Sequence, residues 1–158
     1  MSAKNLWALD KGGNKVATHA ATGQHWVCKV GDVQSQRFRV AIADVNAGYT
    51  LLAAIAGFKY RLVDAFIIAV GGAAAAVTTV DILATQSSSS AKLVAFGQAQ
   101  LTQSTLLRAG ASGATILADW ASFVANDANT AVTIGKTGSS VTTATHFDVV
   151  LNYAIDEA

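Results

Sequence analysis

Residues 146–155, with the sequence HFDVVLNYAI, decide the fold class of this chain. Apolar side chains recur there at every second position, and they are Phe147, Val149, Leu151, Tyr153 and Ile155. The alternate positions carry His146, Asp148, Asn152 and Ala154, with Val150 as the one apolar exception. Because successive side chains of a strand point to opposite faces of a sheet, this pattern predicts a β-strand with one buried face.

Similar patterns extend towards the N-terminus. Arg37 and Arg39 alternate with Phe38, Val40 and Ile42, and residues 59–70 (KYRLVDAFIIAV) are rich in β-branched and aromatic side chains. Further strand-like segments are residues 49–55, 77–84, 91–96, 115–124 and 131–135. The alanine run at residues 73–76 is too short for a stable helix. Residues 98–108 settle on no single period, so they form either a short helix or a bent strand.

Turn signals separate these segments. They lie at residues 46–48, 71–72, 87–90, 126–129 and 137–140, and the serine run at 87–90 is typical of a flexible, exposed loop. About eight short strands with such turns between them predict an all-β fold, an antiparallel β-sandwich or jelly roll.

The composition agrees with this fold class. There is one glutamate against nine aspartates, there are thirteen glycines and there is no proline, which argues against a helical bundle. Charged residues make up 13% of the chain, about half of the usual share of roughly 25%. A surface with so few charges is poorly protected against association. We therefore expect partners to cover part of it.

The sequence carries few signals for a cellular compartment. The single cysteine, Cys28, excludes an intrachain disulfide and fits assembly in a reducing cytoplasm. The first fifteen residues lack the apolar core of a signal peptide. The longest apolar run, residues 65–77, is shorter than the roughly 20 residues that span a bilayer. We expect no membrane contact.

Residues 1–35 differ from the rest of the chain. They show no sustained period and contain several glycine turns, yet they include Trp7 and Trp26, whereas disordered tails are usually poor in aromatic residues. Residues 1–40 have a net charge of +4 and residues 41–158 a net charge of −3. We predict an extended N-terminal arm (residues 1–35) and a β-sandwich domain (residues 36–158). The arm docks on a neighbour or on its own domain, or it is a loose tail whose tryptophans fold back on the core.

The candidate protein-interface residues follow from this division. Tryptophan anchors dominate many interfaces, arginine is enriched in them, and a basic arm suits an acidic neighbour. The candidates are Trp7, Lys11, Lys15, Trp26, Arg37 and Arg39. The bases are dispersed and form no run, which does not favour nucleic acid. For the two arginines, a solvated outer face remains the alternative.

No motif indicates a cofactor or a metal. His19, His25 and Cys28 lie close together, but a structural zinc site needs four ligands at recognisable spacing. The segments 110–113 and 135–138 only faintly resemble phosphate loops and lack the required spacing. Residues 126–129 lack most ligands of a calcium loop and are better explained as a turn.

No motif indicates catalysis either. His146 and Asp148 share one strand face, but no serine motif accompanies them. Asp64 and Asp81 lie on neighbouring predicted strands and are better explained as turn or edge charges than as an acid–base pair. We predict that the protein is not an enzyme and has no catalytic, cofactor-binding or metal-binding residues.

Several stretches of the predicted domain carry a family resemblance. They are residues 47–52 (AGYTLL), residues 60–64 (YRLVD), Gly71-Gly72 with residues 79–82 (TVDI), and the closing strand that ends in Leu151-Asn152-Tyr153. These stretches resemble small structural proteins encoded beside the major capsid protein in tailed bacteriophages. The likeness spans about residues 37–155 and leaves the arm uncovered. It implies a jelly roll that forms a homotrimer and decorates or cements the capsid, and it transfers no functional residue.

The resemblance and the composition together predict a virion structural protein. It would be a capsid decoration or cement protein, assembled in the host cytoplasm, that binds the major capsid protein or other virion proteins. A tail or receptor-binding module is the alternative, with Trp120 and Tyr49 stacking on carbohydrate. A small jelly-roll lyase or hydrolase is a third hypothesis, against which the lack of a metal triad and of paired glutamates argues.

Overall fold

The structure is a computed structural model that describes residues 31–116 and 123–158, and the backbone alone of Trp7–Leu9, Lys15–Ala17 and Cys28–Lys29. Within these ranges the chain forms twelve strands and one helix. They are β1 (Trp7–Leu9), β2 (Lys15–Ala17), β3 (Cys28–Lys29), β4 (Gln34–Ala41), α1 (Ile42–Ala47), β5 (Tyr49–Leu52), β6 (Phe58–Val70), β7 (Ala74–Gln86), β8 (Ser89–Gly97), β9 (Leu106–Arg108), β10 (Ala114–Ile116), β11 (Val132–Thr143) and β12 (His146–Glu157). No helix in this described part has the length and hydropathy that crossing a membrane requires.

Nine of these strands build two sheets that pack face to face. Sheet I has the strand order β4-β12-β6-β9, and sheet II has the order β10-β8-β7-β11-β5. Neighbouring strands in both sheets are antiparallel. The remaining three pair with each other in the order β1-β2-β3. The prediction of an all-β antiparallel sandwich is confirmed, whereas its jelly-roll connectivity stays a prediction.

The hydrophobic core lies between sheets I and II. Its largest fully buried side chains include Leu62, Ile67, Phe147 and Leu151 from sheet I, and Ile82, Leu93, Phe96 and Ile134 from sheet II. Burying each such side chain stabilises the fold by about 1.5–3 kcal/mol. Since strand side chains alternate, the other half of each strand faces away from the core. These outward sets form the two surfaces of the sandwich.

The closing strand β12 follows its predicted pattern. All five side chains predicted to face the core are buried. Ala154 is buried as well, against the prediction. It lies opposite Arg61, whose guanidinium reaches along the same face to Asp156 at 3.0 Å. Both members of this ion pair are therefore neighbours of Ala154 on that strand face.

The hairpin of β7 and β8 is longer and tighter than predicted. The alanine run joins the start of β7 and is not helical, and β7 continues to Gln86. The predicted four-serine loop is wrong, because Ser89 and Ser90 pair with Gln86 and Thr85. Only Ser87 and Ser88 form the turn, both with positive φ. From Leu83 to Gln86, β7 pairs with β8 without a register shift, which leaves no length for a flexible loop.

Strand β11 runs through a predicted turn. The prediction of a strand at 131–135 followed by a turn at 137–140 is wrong, because β11 pairs with β7 as far as Thr143. Register shifts on either side of Gly138, which has φ +89°, absorb the irregular sequence without ending the strand. The segment 135–138 therefore lies in a sheet and forms no phosphate loop.

Four other segments differ from their predictions. Ile42 begins helix α1 and is not in a strand, and the Asn46 side chain holds this helix by hydrogen bonds to both backbone groups of Val141. Strand β5 ends at Leu52. Residues 98–108 were predicted to form either a short helix or a bent strand, and in the structure turns lead there into the short strand β9. Strand β10 covers only the start of the predicted strand 115–124, and residues 117–122 are outside the described ranges.

The division into an arm and a domain stays a prediction. Strand β4 begins at Gln34, two residues before the predicted boundary, and Gln34 lies opposite Tyr153. The backbone N–H of Gly31 donates to the carbonyl of Ile155 at 2.9 Å. The described body therefore includes residues from Gly31 onwards.

Candidate protein-interaction surface

The outward side of sheet I carries a patch of apolar side chains. Each central strand contributes to it, because Val150 of β12 lies opposite Phe66 of β6, and Ile68 lies opposite Leu106 of β9. Val70 extends the patch along β6. Directly opposed side chains on one sheet face are within contact distance. We call these five residues the apolar patch, and its most exposed member is Leu106, at 58%.

Arginine side chains border the apolar patch along β4. Arg37 and Arg39 both reach the carboxylate of Asp148, at 2.7 and 3.2 Å. Their side chains are 64% and 66% exposed, whereas that of Asp148 is 11% exposed. Two cations thus share one carboxylate, and this border has an excess of positive charge.

The charge on Asp148 depends on these arginines. Partial burial alone would raise the pKa of Asp148, but hydrogen bonds and positive charge from Arg39 and Arg37 outweigh burial and hold the pKa below its ordinary value. A carboxylate with a lowered pKa stabilises the fold above its ordinary pKa, and this contribution is lost as the pH falls through the lowered value. Asp148 is therefore a carboxylate at neutral pH.

A third arginine borders the opposite side of the patch. Arg108 of β9 pairs with Asp64 of β6 at 2.8 Å. Its guanidinium carbon lies 5.7 Å from the ring centre of Phe66, within range of a cation–π contact. Apolar side chains in the centre with arginines around them are typical of protein-binding surfaces.

The outward side of sheet II has a different chemistry. Thr79, Asp81, Thr85 and other polar or small residues face outward there, and Leu83 is an apolar exception that packs on Gly135. Threonine side chains suit a strand face that water covers. The two outer surfaces of the sandwich therefore differ, one being apolar with arginines and the other mostly polar.

The structure places only two of the six predicted interface residues. Arg37 and Arg39 are exposed on the outward side of β4, as both interpretations of this pair require. The side chains of Trp7, Lys11, Lys15 and Trp26 lie outside the described residues. The same holds for the side chains of His19, His25 and Cys28, the group that is too small for a structural zinc site.

The structure describes one of the two residues that were predicted to stack on carbohydrate. Tyr49 is 40% exposed on β5, an edge strand of sheet II. Trp120 is outside the described ranges. The stacking hypothesis therefore remains untested.

Sequence analysis missed the apolar patch itself, although β6 contains its signal. Residues 65–70 (AFIIAV) are apolar at every position, not at alternate ones. A strand with one solvated face alternates, whereas a strand covered on both faces has a continuous apolar run. Phe66, Ile68 and Val70 could thus have been recognised as a second, outward set that a partner covers.

The candidate catalytic pairs have other roles in the structure. His146 Nε2 lies 4.0 Å from Asp148 Oδ1, but that carboxylate is held by the two arginines. Asp64 and Asp81 lie on different sheets. Asp81 is 1% exposed in the interior strand β7, so its interpretation as a turn or edge charge is wrong. Among the described residues, no group of three or more His, Cys, Asp and Glu side chains could hold a metal ion.

The chain was also compared with known proteins. No family model, no curated protein and no solved structure matches it. The family resemblance from the sequence therefore stays a prediction.

Proposed function

We propose that this protein is a structural protein of a bacteriophage virion, a decoration or cement protein that binds the head shell. The observation that carries the proposal is the contrast between the two outer surfaces of the sandwich. A protein seated on a shell needs one surface that docks and one that faces water. Sheet I supplies the apolar patch with its arginine border, and sheet II supplies the polar surface.

The strand order supports a jelly roll. Counting β4 to β9, β11 and β12 as eight strands in chain order, sheet I contains the first, eighth, third and sixth. Sheet II contains the fifth, fourth, seventh and second, with β10 added at its edge. Strands that change sheets in this order are those of an eight-stranded jelly roll built from two Greek keys.

The mode of action is binding without chemistry. The apolar patch loses contact with water when it docks, and the arginines at its border fix the orientation by hydrogen bonds to the partner. The predicted arm adds a second point of attachment, and many identical copies on one shell give high avidity. The expected oligomer is a homotrimer on the capsid surface, and the expected partner is the major capsid protein.

A matched pair of surface variants tests the proposal. Leu106→Lys places a charge in the apolar patch, and Thr115→Lys places the same charge on an exposed outward position of sheet II. With undecorated heads of the encoding phage in a co-sedimentation assay, we expect Leu106→Lys to bind at least about tenfold more weakly than the native chain. We expect Thr115→Lys to bind as the native chain does.

Two results would contradict the proposal. Equal binding by both variants, with unchanged circular-dichroism spectra, would exclude docking through the apolar patch. A cryo-electron-microscopy map of purified particles that places the chain on the tail or nowhere would exclude the role on the head.

A further inference from the structure

The edge strand β4 differs from the other sheet edges. Sheets I and II have four edges, formed by β4, β9, β10 and β5. The other three edge strands have three or four residues, whereas β4 has eight. Strand β4 also pairs with β12 over eight consecutive positions without a register shift. Strand β4 is the longest of the four edge strands and pairs with its neighbour without a bulge.

A long edge strand exposes unpaired backbone groups. From Ser35 to Ala41, the side of β4 that faces away from β12 presents N–H and C=O groups that another extended chain can pair with. Native proteins usually shorten, bulge or cover such an edge. Within the described ranges, no strand lies on that side of β4.

We propose that the β4 edge binds an extended, acidic segment of another protein, which joins sheet I as an added strand beside β4. The inference rests on the proposed binding role and names the chemistry of the partner. Arg37 and Arg39 are two residues apart on one face, and together they have a single carboxylate, Asp148. Side chains of an added strand on this face would lie about 5 Å from those of Arg37 and Arg39. Carboxylates at two alternate positions would pair with the remaining guanidinium donors.

The charges of this chain disfavour the other occupants of the β4 edge. If β4 paired with β4 of a second copy, four guanidiniums would meet along the new edge, and like charges opposite each other destabilise a sheet. The first thirty residues of this chain carry four lysines and one aspartate, so they too would repel the arginines. The arginines thus select an acidic segment against both alternatives.

A designed peptide provides the test. The probe is a fluorescent eight-residue peptide of alternating threonine and glutamate, and its counterpart replaces each glutamate by lysine. By fluorescence anisotropy with the full-length chain, we expect the acidic peptide to bind and the basic peptide not to bind. Arg37→Gln/Arg39→Gln keeps donors for Asp148 and should weaken binding at least about tenfold. Arg37→Lys/Arg39→Lys should retain most of the binding, and Lys136→Gln in sheet II is the matched control with native binding.

Methylation of the peptide backbone separates strand addition from simple charge attraction. One version of the acidic peptide is N-methylated at odd positions and another at even positions. Successive N–H groups of a strand point to opposite edges, and the added peptide would pair with β4 along one edge only. We therefore expect one methylated version to lose binding and the other to keep it. Hydrogen exchange of β4 amides should slow when the unmodified peptide binds.

Several outcomes would overturn the inference. They are no binding of the acidic peptide, equal binding of both methylated versions, unchanged binding by Arg37→Gln/Arg39→Gln, or tighter binding of an oligothymidine of equal charge. Peptide binding should also survive Leu106→Lys, which lies outside β4. If the peptide fails while heads still bind the native chain, the inference is wrong and the proposed function stands.

Discussion

Asp81 is the residue where sequence and structure disagree most. Its side chain is 1% exposed, although it faces outward from sheet II. One carboxylate oxygen accepts from Thr137 Oγ1 at 2.6 Å and lies 3.2 Å from Lys92 Nζ. The other oxygen is buried and has no partner among the described residues. A buried carboxylate depends strongly on its counter-charge.

Replacement of Lys92 tests this dependence. We expect Lys92→Met to lower the free energy of unfolding by about 2–3 kcal/mol, less than for a fully buried pair because the lysine side chain is partly exposed. Asp81→Asn/Lys92→Met should recover part of this loss, because it removes the uncompensated charge. Urea denaturation measures both, and Lys136→Met is the control, with a change under about 0.5 kcal/mol. A loss for Lys92→Met no larger than for the control would contradict the role of Lys92.

Single residues show what the sequence could predict. Alternation along β4 correctly placed Arg37 and Arg39 on an exposed face, because a period of two is a local property. It could not reveal that Asp148 lies between them or that Lys92 and Thr137 cover Asp81. Asp148 and Arg37 are 111 residues apart along the chain, Thr137 and Asp81 are 56 apart, and Lys92 reaches Asp81 from the neighbouring strand β8. Strand register, which local patterns leave open, determines them.

At the scale of elements, the β7–β8 hairpin shows how a turn can escape detection. Two-residue hairpin turns usually carry Asn-Gly, since both positions need positive φ. Here Ser87 and Ser88 have φ of 51° and 60°. The Asp127 carboxylate accepts from both of their backbone N–H groups, at 3.0 and 2.7 Å. Asp127, which is distant in the sequence, thus stabilises a turn that the Ser87-Ser88 sequence does not favour.

Replacing the two serines of this turn should stabilise the protein. Ser87→Asn/Ser88→Gly should raise the free energy of unfolding by about 1 kcal/mol, because asparagine and glycine adopt positive φ more readily than serine. Thermal unfolding followed by circular dichroism measures the change. The same exchange two residues later, Ser89→Asn/Ser90→Gly, falls in β8 and should destabilise the protein. A stabilising effect of this second exchange would contradict the assigned hairpin register.

Elements with a clear period were easier to predict than their ends. Residues 146–155 of β12 and nearly the whole of β6 follow from alternation or β-branched content. The end of β11 does not, because Gly138 and the serines after it indicate a turn unless the partner strand is known. Helix α1 has only six residues and connects β4 in sheet I to β5 in sheet II. It is too short for a helical period to identify it.

At the scale of the whole molecule, the described body depends on contacts near residue 31. The backbone N–H of Gly31 donates to the carbonyl of Ile155, and Gln34 and Ser35 pair with Tyr153 and Asn152. These contacts extend the edge of sheet I beyond the predicted boundary at residue 36. A cut at that boundary therefore removes part of the sheet.

Two truncations measure where the body begins. We expect residues 31–158 to fold with a free energy of unfolding within about 1 kcal/mol of the full chain, because they contain the described core and both sheets. Residues 36–158 should be less stable by about 1–2 kcal/mol, since each lost backbone hydrogen bond contributes about 1 kcal/mol. Urea denaturation of the three chains compares them. An unfolded 31–158 chain would mean that the first thirty residues belong to the fold and are no separate arm, whereas equal stability of the two fragments would mean that β4 needs nothing before residue 36.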